Sequence, residues 1–194
     1  MKRSSRILAC FSAILLLATF KFPFWVIYLI APQYPEGLEM FIWLHKVSGD
    51  VETINGLNHY IGMSIIDENT FVEFKVLPYI ISFFILSGLL IGILGRRTLF
   101  MIWTATLVLF SFLAVYDFWH WEYAYGHHLD PDAPIKIENM SYQPPLIGYK
   151  KLLNFEAYSY PHGGGWFYIS SVSIALLTAG IELKHKAHKK KVHV

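Results

Sequence analysis

Fifteen residues, Tyr116–Asp130 (YDFWHWEYAYGHHLD), hold three histidines, three carboxylates and six aromatic rings. The wider sequence repeats that bias. Six of the nine histidines (His45, His59, His120, His127, His128 and His162) and three of the five methionines (Met40, Met63 and Met140) fall in two segments, 32–75 and 117–164. Imidazole and thioether ligands together suit copper, and thioethers particularly suit Cu(I). His59 and Met63 are four apart, so they share a face if 57–63 is helical. Gly62 weakens that helix, and Asn55 and Asn58 could instead cap or hold a turn. Asp117 and His120 are three apart, a spacing at which a carboxylate can receive an imidazole N–H and fix its tautomer. Glu122 follows two residues on. Adjacent side chains diverge, so only one of His127 and His128 is expected at a shared metal, and Asp130 before Pro131 can start a turn. The expected ligands are His59, Met63, His127 and Met140. Asp117, His120, Glu122 and Asp130 are ligands or their hydrogen-bond partners. The competing reading is structural: Trp119, Trp121, Tyr123 and Tyr125 form an interfacial aromatic belt with polar residues interleaved.

Several chemistries are excluded. Cys10 is the one cysteine, so there is no internal disulfide and no CxxC site. Leu8-Ala9-Cys10 is a poor lipobox because almost no apolar segment precedes it. His162-Gly163-Gly164-Gly165 is similar to an esterase oxyanion loop, but no Gly-x-Ser-x-Gly supplies a nucleophile. No nucleotide-binding motif is present, and the apolar runs carry no charge cluster of the kind that moves ions or protons. Nothing points to nucleic acid.

The elements that must position these residues are membrane spans. The chain of 194 residues is 55% hydrophobic and 15% charged, far from the roughly one quarter charged of soluble domains. Apolar runs at 7–30, 76–94, 99–116 and 165–181 are each long enough to cross a bilayer. MKRSSR before the first run resembles a signal peptide, but Lys21-Phe22-Pro23-Phe24 stands where a small-residue cleavage site belongs, so an uncleaved helix is expected. The expected fold is an all-α membrane protein: four transmembrane helices, with a small extracytoplasmic cap formed by the two long loops 32–75 and 117–164. The amino terminus, the Arg96-Arg97 turn and the tail 182–194 hold ten of the sixteen Lys and Arg. By the positive-inside rule both termini are then cytoplasmic and both loops face outward, into the periplasm of a bacterial inner membrane.

Three segments carry a family resemblance: Asn55-Gly56-Leu57-Asn58-His59-Tyr60-Ile61-Gly62-Met63, Trp121-Glu122-Tyr123-Ala124-Tyr125-Gly126-His127-His128-Leu129-Asp130-Pro131, and Ser141-Tyr142-Gln143-Pro144-Pro145-Leu146-Ile147-Gly148. Over nearly its whole length the chain resembles an uncharacterised family of small membrane proteins encoded in nitrous oxide reductase gene clusters of Bacteroidota and relatives. The resemblance implies support or maturation of that periplasmic copper enzyme. His59, Met63, Glu122, His127, Asp130 and Met140 match its motifs; His120 and His128 do not clearly belong to them.

The expected function is therefore that of an accessory protein rather than an enzyme. It would bind copper on its periplasmic face and pass it to a periplasmic copper protein or reductase, with the lipid bilayer as its other partner. Two alternatives stand beside it. One is a non-catalytic scaffold that docks partners through Gln143–Leu146. The other is a metalloenzyme or quinol-oxidising subunit, for which no haem or iron–sulfur motif speaks.

Overall fold

The computed structural model describes residues 1–135 and 141–192, with side chains as far as His185. Among these, four helices are long and apolar enough to cross a membrane: α1 (Arg3–Leu15) with its 3-10 continuation to Phe20, α3 (Glu73–Leu94), α4 (Arg97–His127) and α5 (Gly163–Val192). Only these or a closed barrel satisfy every backbone group in lipid. The bundle therefore matches the expectation of a multi-pass membrane protein.

The expectation of an all-α chain is corrected. A five-stranded antiparallel sheet, in the order β3-β2-β1-β5-β4, caps the bundle. Its strands are β1 (Trp25–Ala31), β2 (Tyr34–Ile42), β3 (Val47–Gly49), β4 (Gly148–Leu152) and β5 (Phe155–Pro161). The cap also contains a helix, α2 (Val51–Ile61), so it is more than two loops. The first span accordingly ends at Phe20 rather than near Ile30. Pro23 disfavours helix in the residue before it and cannot donate to an ongoing ladder of helical hydrogen bonds. The β-branched and aromatic run Trp25–Ile30 then forms a strand. A continuous apolar run reads the same for a buried strand as for a membrane helix.

The helices pack through small residues and local polar ties. A Cβ on Gly88 would stand 2.7 Å from the Trp103 ring and 2.9 Å from Ala13 Cβ, so α1, α3 and α4 meet closely there. Ser12 donates its hydroxyl to the Ser171 carbonyl at 2.9 Å, and Ser171 donates to the Ser12 carbonyl at 2.7 Å. At the basic end, the Met1 amine donates to the Gly95 carbonyl at 2.9 Å and the Lys2 amide to Glu182 at 3.0 Å. The amino terminus, the α3–α4 turn and the end of α5 thus gather at the pole opposite the sheet.

Helix α4 has 31 residues, or about 46 Å at 1.5 Å per residue. A hydrocarbon core of about 30 Å takes up some twenty of them. The stretch Asp117–His127 therefore continues as helix out of the membrane and into the cap.

The β4–β5 hairpin turns through Leu153 and Asn154, and Leu153 holds φ of 55°. A Cβ is unfavourable in that region, and the two-residue turns that match strand twist favour Asn or Gly there. Leu153 is 39% exposed, so little packing opposes its replacement. Leu153→Gly is expected to stabilise the detergent-solubilised protein by roughly 1 kcal/mol, read as a rise in thermal unfolding temperature.

Candidate functional site

The site forms where three elements meet beneath the inner face of the sheet. Strand alternation sends Ile27 and Leu29 of β1, Met40 of β2, Leu152 of β4 and Phe155 of β5 inward. Helix α2 contributes Ile54, Leu57, Asn58 and Ile61 from one face, and Met63 follows just after it. The emergent end of α4 adds Trp121, Glu122 and Tyr125, and the extended strap 141–146 closes the site with Tyr142 and Pro144. Together they line a partly open cavity of about 70 Å³. That is room for an ion or about two waters, far below the roughly 300 Å³ from which pockets for larger ligands begin.

Short hydrogen bonds hold the pieces together. Asn55 clamps Ile66 twice, accepting its amide at 2.7 Å and donating to its carbonyl at 3.0 Å. The Asp130 amide donates to Gly62 at 2.8 Å, Ile135 donates to Tyr60 at 2.9 Å, and the Tyr125 hydroxyl donates to Ile65 at 2.7 Å. The two long connections therefore meet in space. The strap is anchored by the Tyr142 amide donating to the Gly126 carbonyl at 3.0 Å. Gly126 is buried, and any Cβ there would overlap the backbone of Gln143.

Glu122 is the chemical centre of this arrangement. It is 0% exposed, and neither carboxyl oxygen has a hydrogen-bond partner. The Trp121 indole N–H and the Tyr142 hydroxyl, on the same cavity, are also buried without partners. Burial disfavours the charged form, and the Glu122 carboxyl is pushed up to about 8 even though the ammonium of Lys150 pulls the other way.

The structure sorts the expected site residues. Met63 and Glu122 reach the cavity. His59, Asp117, His120, His127, His128 and Asp130 are exposed and outside its lining. The shared helical face expected for His59 and Met63 does not form, because α2 stops at Ile61 and Gly62 turns left-handed with φ of 79°. A side chain at Gly62 would also meet Ala133 and Asp130 at about 3 Å, so both conformation and space call for glycine. His127 stacks on Tyr123 with centroids 3.9 Å apart and places Nδ1 2.9 Å from the Tyr123 carbonyl. His120 stacks on Tyr116. Asp130 accepts the Asp132 amide at 2.8 Å, the turn-initiating role that its sequence context suggests. Met140 lies outside the described residues. Among the described residues, no three His, Cys, Asp or Glu side chains come together as a metal site.

The lining residues absent from the expected ligands include the potential donors Met40, Asn58 and Tyr142. Met40 carries a readable signal, since Leu38, Met40 and Ile42 alternate in the manner of one strand face. Tyr142 carries none, because nothing in an extended Pro-rich segment says which way it faces.

As potential metal donors, the cavity offers the thioethers of Met40 and Met63, the Glu122 carboxyl, and the neutral oxygens of Asn58 and Tyr142. Two sulfurs and one carboxylate suit a soft, low-coordinate, monovalent ion. They fit poorly with Ca²⁺ or Mg²⁺, which take six or more oxygens. No protein-family model matches the chain, and no curated protein is similar to it.

The buried carboxyl sets a pH dependence. Its folded-state value of about 8 lies above the 4.5 of the unfolded chain. Between these limits the folded state keeps a proton that the unfolded state has lost. Stability is therefore highest below pH 4.5 on this account, falls as pH rises toward 8, and levels off above. Glu122→Gln, a neutral side chain of the same shape, should leave metal-free protein nearly unchanged at pH 5. At pH 8.5 it should stabilise the protein by on the order of 3 kcal/mol, seen as a flatter plot of unfolding temperature against pH. Gly126→Ala should displace the strap and lower the unfolding temperature at every pH.

Proposed function

We propose that this chain is an accessory protein of the bacterial inner membrane, with cytoplasmic termini, that binds copper as Cu(I) in its periplasmic cap and supports a periplasmic copper enzyme. The sequence resemblance points to nitrous oxide reductase as that enzyme. The observation that carries the reading is the convergence of three segments. Residues from 55–63, 121–131 and 141–148 are distant in sequence, yet all line one small cavity around an unpaired buried carboxyl and a methionine. Segments that served only to cover the bundle would pair or expose Glu122, since a buried unsatisfied carboxyl costs several kcal/mol. The orientation rests on the ten of sixteen Lys and Arg that belong to the amino terminus, the Arg96-Arg97 turn and the tail, at the pole opposite the sheet.

The size of the cavity favours an ion over an organic cofactor, and hence an accessory role over quinol oxidation. A site serving transfer needs few ligands, so that a partner can compete for the metal.

The test is a Cu(I) titration of purified, full-length protein in detergent against a chromophoric Cu(I) chelator. The expected result is about one Cu(I) per chain, retained at chelator excess. Copper that partitions entirely to the chelator would overturn the reading.

A further inference from the structure

We infer that the cation site is built from the Met40 and Met63 thioethers with the Glu122 carboxylate as counter-charge, and that the cap histidines take no part. This inference rests on the copper-binding reading and specifies where the ion sits. Three observations carry it. First, Met40 is 3% exposed on β2 and Met63 half-buried after α2, and both line the cavity that holds Glu122. Strand β2 and the turn after α2, both in the first connection, thus supply one sulfur each. Second, Glu122 is fully buried with both oxygens free, and among the described residues no Lys or Arg lines the cavity, the Lys150 ammonium acting on the carboxyl from outside that lining. A monocation that takes the place of the carboxyl proton, which leaves to solvent, keeps the site neutral in its apolar shell. Third, His59 and His127 are exposed, and His127 is already committed to the Tyr123 ring and carbonyl. A site with thioethers and one carboxylate holds Cu(I) in preference to Cu(II), which favours nitrogen and oxygen in a tetragonal arrangement.

The unpartnered Trp121 N–H and Tyr142 hydroxyl belong to residues lining the same cavity and are the free donors there for a ligated carboxylate. Such donors orient a metal ligand without binding the metal.

The experiment compares full-length wild type, Met40→Leu/Met63→Leu, Glu122→Gln and His59→Ala/His127→Ala, each titrated with Cu(I) and with redox-inert Ag(I). Copper K-edge absorption of the loaded wild type reads the ligand atoms directly. The expected result is sulfur neighbours to copper, Cu(I) affinity at least ~100-fold weaker in the double methionine variant, and ~10-fold or more weaker in Glu122→Gln. The double histidine variant should stay within about threefold of wild type. Met→Leu conserves volume and is tolerated in cores, and unfolding of the metal-free variants checks that they fold. Should the double methionine variant not fold, the absorption spectrum and Met63→Leu alone decide. Loss of binding in the histidine variant with the methionine variant intact would overturn this site while leaving copper binding in place. Nitrogen and oxygen neighbours without sulfur would do the same. No Cu(I) bound by wild type would overturn both.

Discussion

The antiparallel pairing of β1 with β5 is the constraint on which the cap depends. It runs from Trp25 opposite Pro161 to Ile30 opposite Glu156. β1 directly follows the first membrane helix and β5 directly precedes the last. One ladder therefore ties the two ends of the chain together at the membrane surface. β2 adds on the far side of β1 and β4 on the far side of β5. Trp25 fastens the join further, donating its indole N–H to Ser159 at 2.7 Å across the ladder. With α1 and α5 side by side through the reciprocal Ser12–Ser171 hydrogen bonds, the strands they lead to are held next to each other from the bundle side as well.

The middle of the chain packs onto the inner face of this sheet. The inner sheet face presents a buried apolar cluster including Ile27, Leu38 and Met40, and α2 seats Ile54 on it. The emergent turns of α4 bring an aromatic stack, with Trp121 and Tyr125 centroids 4.3 Å apart and Phe71 5.1 Å from Trp121. Such contacts combine large buried area with a preferred geometry. Glu122, next to Trp121 in the chain, is fully buried, carried inward by the helix that places the aromatics. The apolar packing that stabilises the cap thus pays for the carboxyl at its centre.

That placement explains why the polar character of Tyr116–Asp130 separates into two populations. On a helix, residues a hundred degrees apart per step face different surroundings. Asp117, His120, Tyr123 and His127 recur at spacings of three and four and lie on the outward face, where His120 and His127 stack on their tyrosine neighbours. Trp121, Glu122 and Tyr125 face the sheet. The histidine-rich appearance of the stretch belongs mostly to the outward face, and the inward face carries a single ionisable carboxyl.

The sequence by itself determined the bundle, because crossing lipid demands long apolar helices and nothing shorter suffices. It also determined which end carries the positive charge, and it marked out the three segments that meet at the cavity. The sheet was not legible, because Trp25–Ile30 continues an apolar run and hydropathy does not separate a buried strand from a helix. The end of α2 at Gly62 was half legible: the glycine was a warning, but only its left-handed backbone separates His59 from Met63. Tertiary structure alone decided the rest. Burial of Glu122, the arrival of Met40 from β2 and the closure by Tyr142 arise from contacts between residues some twenty to eighty positions apart. A side chain's chemistry is written in its type. Whether it is buried, charged or free to bind is set by neighbours that only the folded chain supplies.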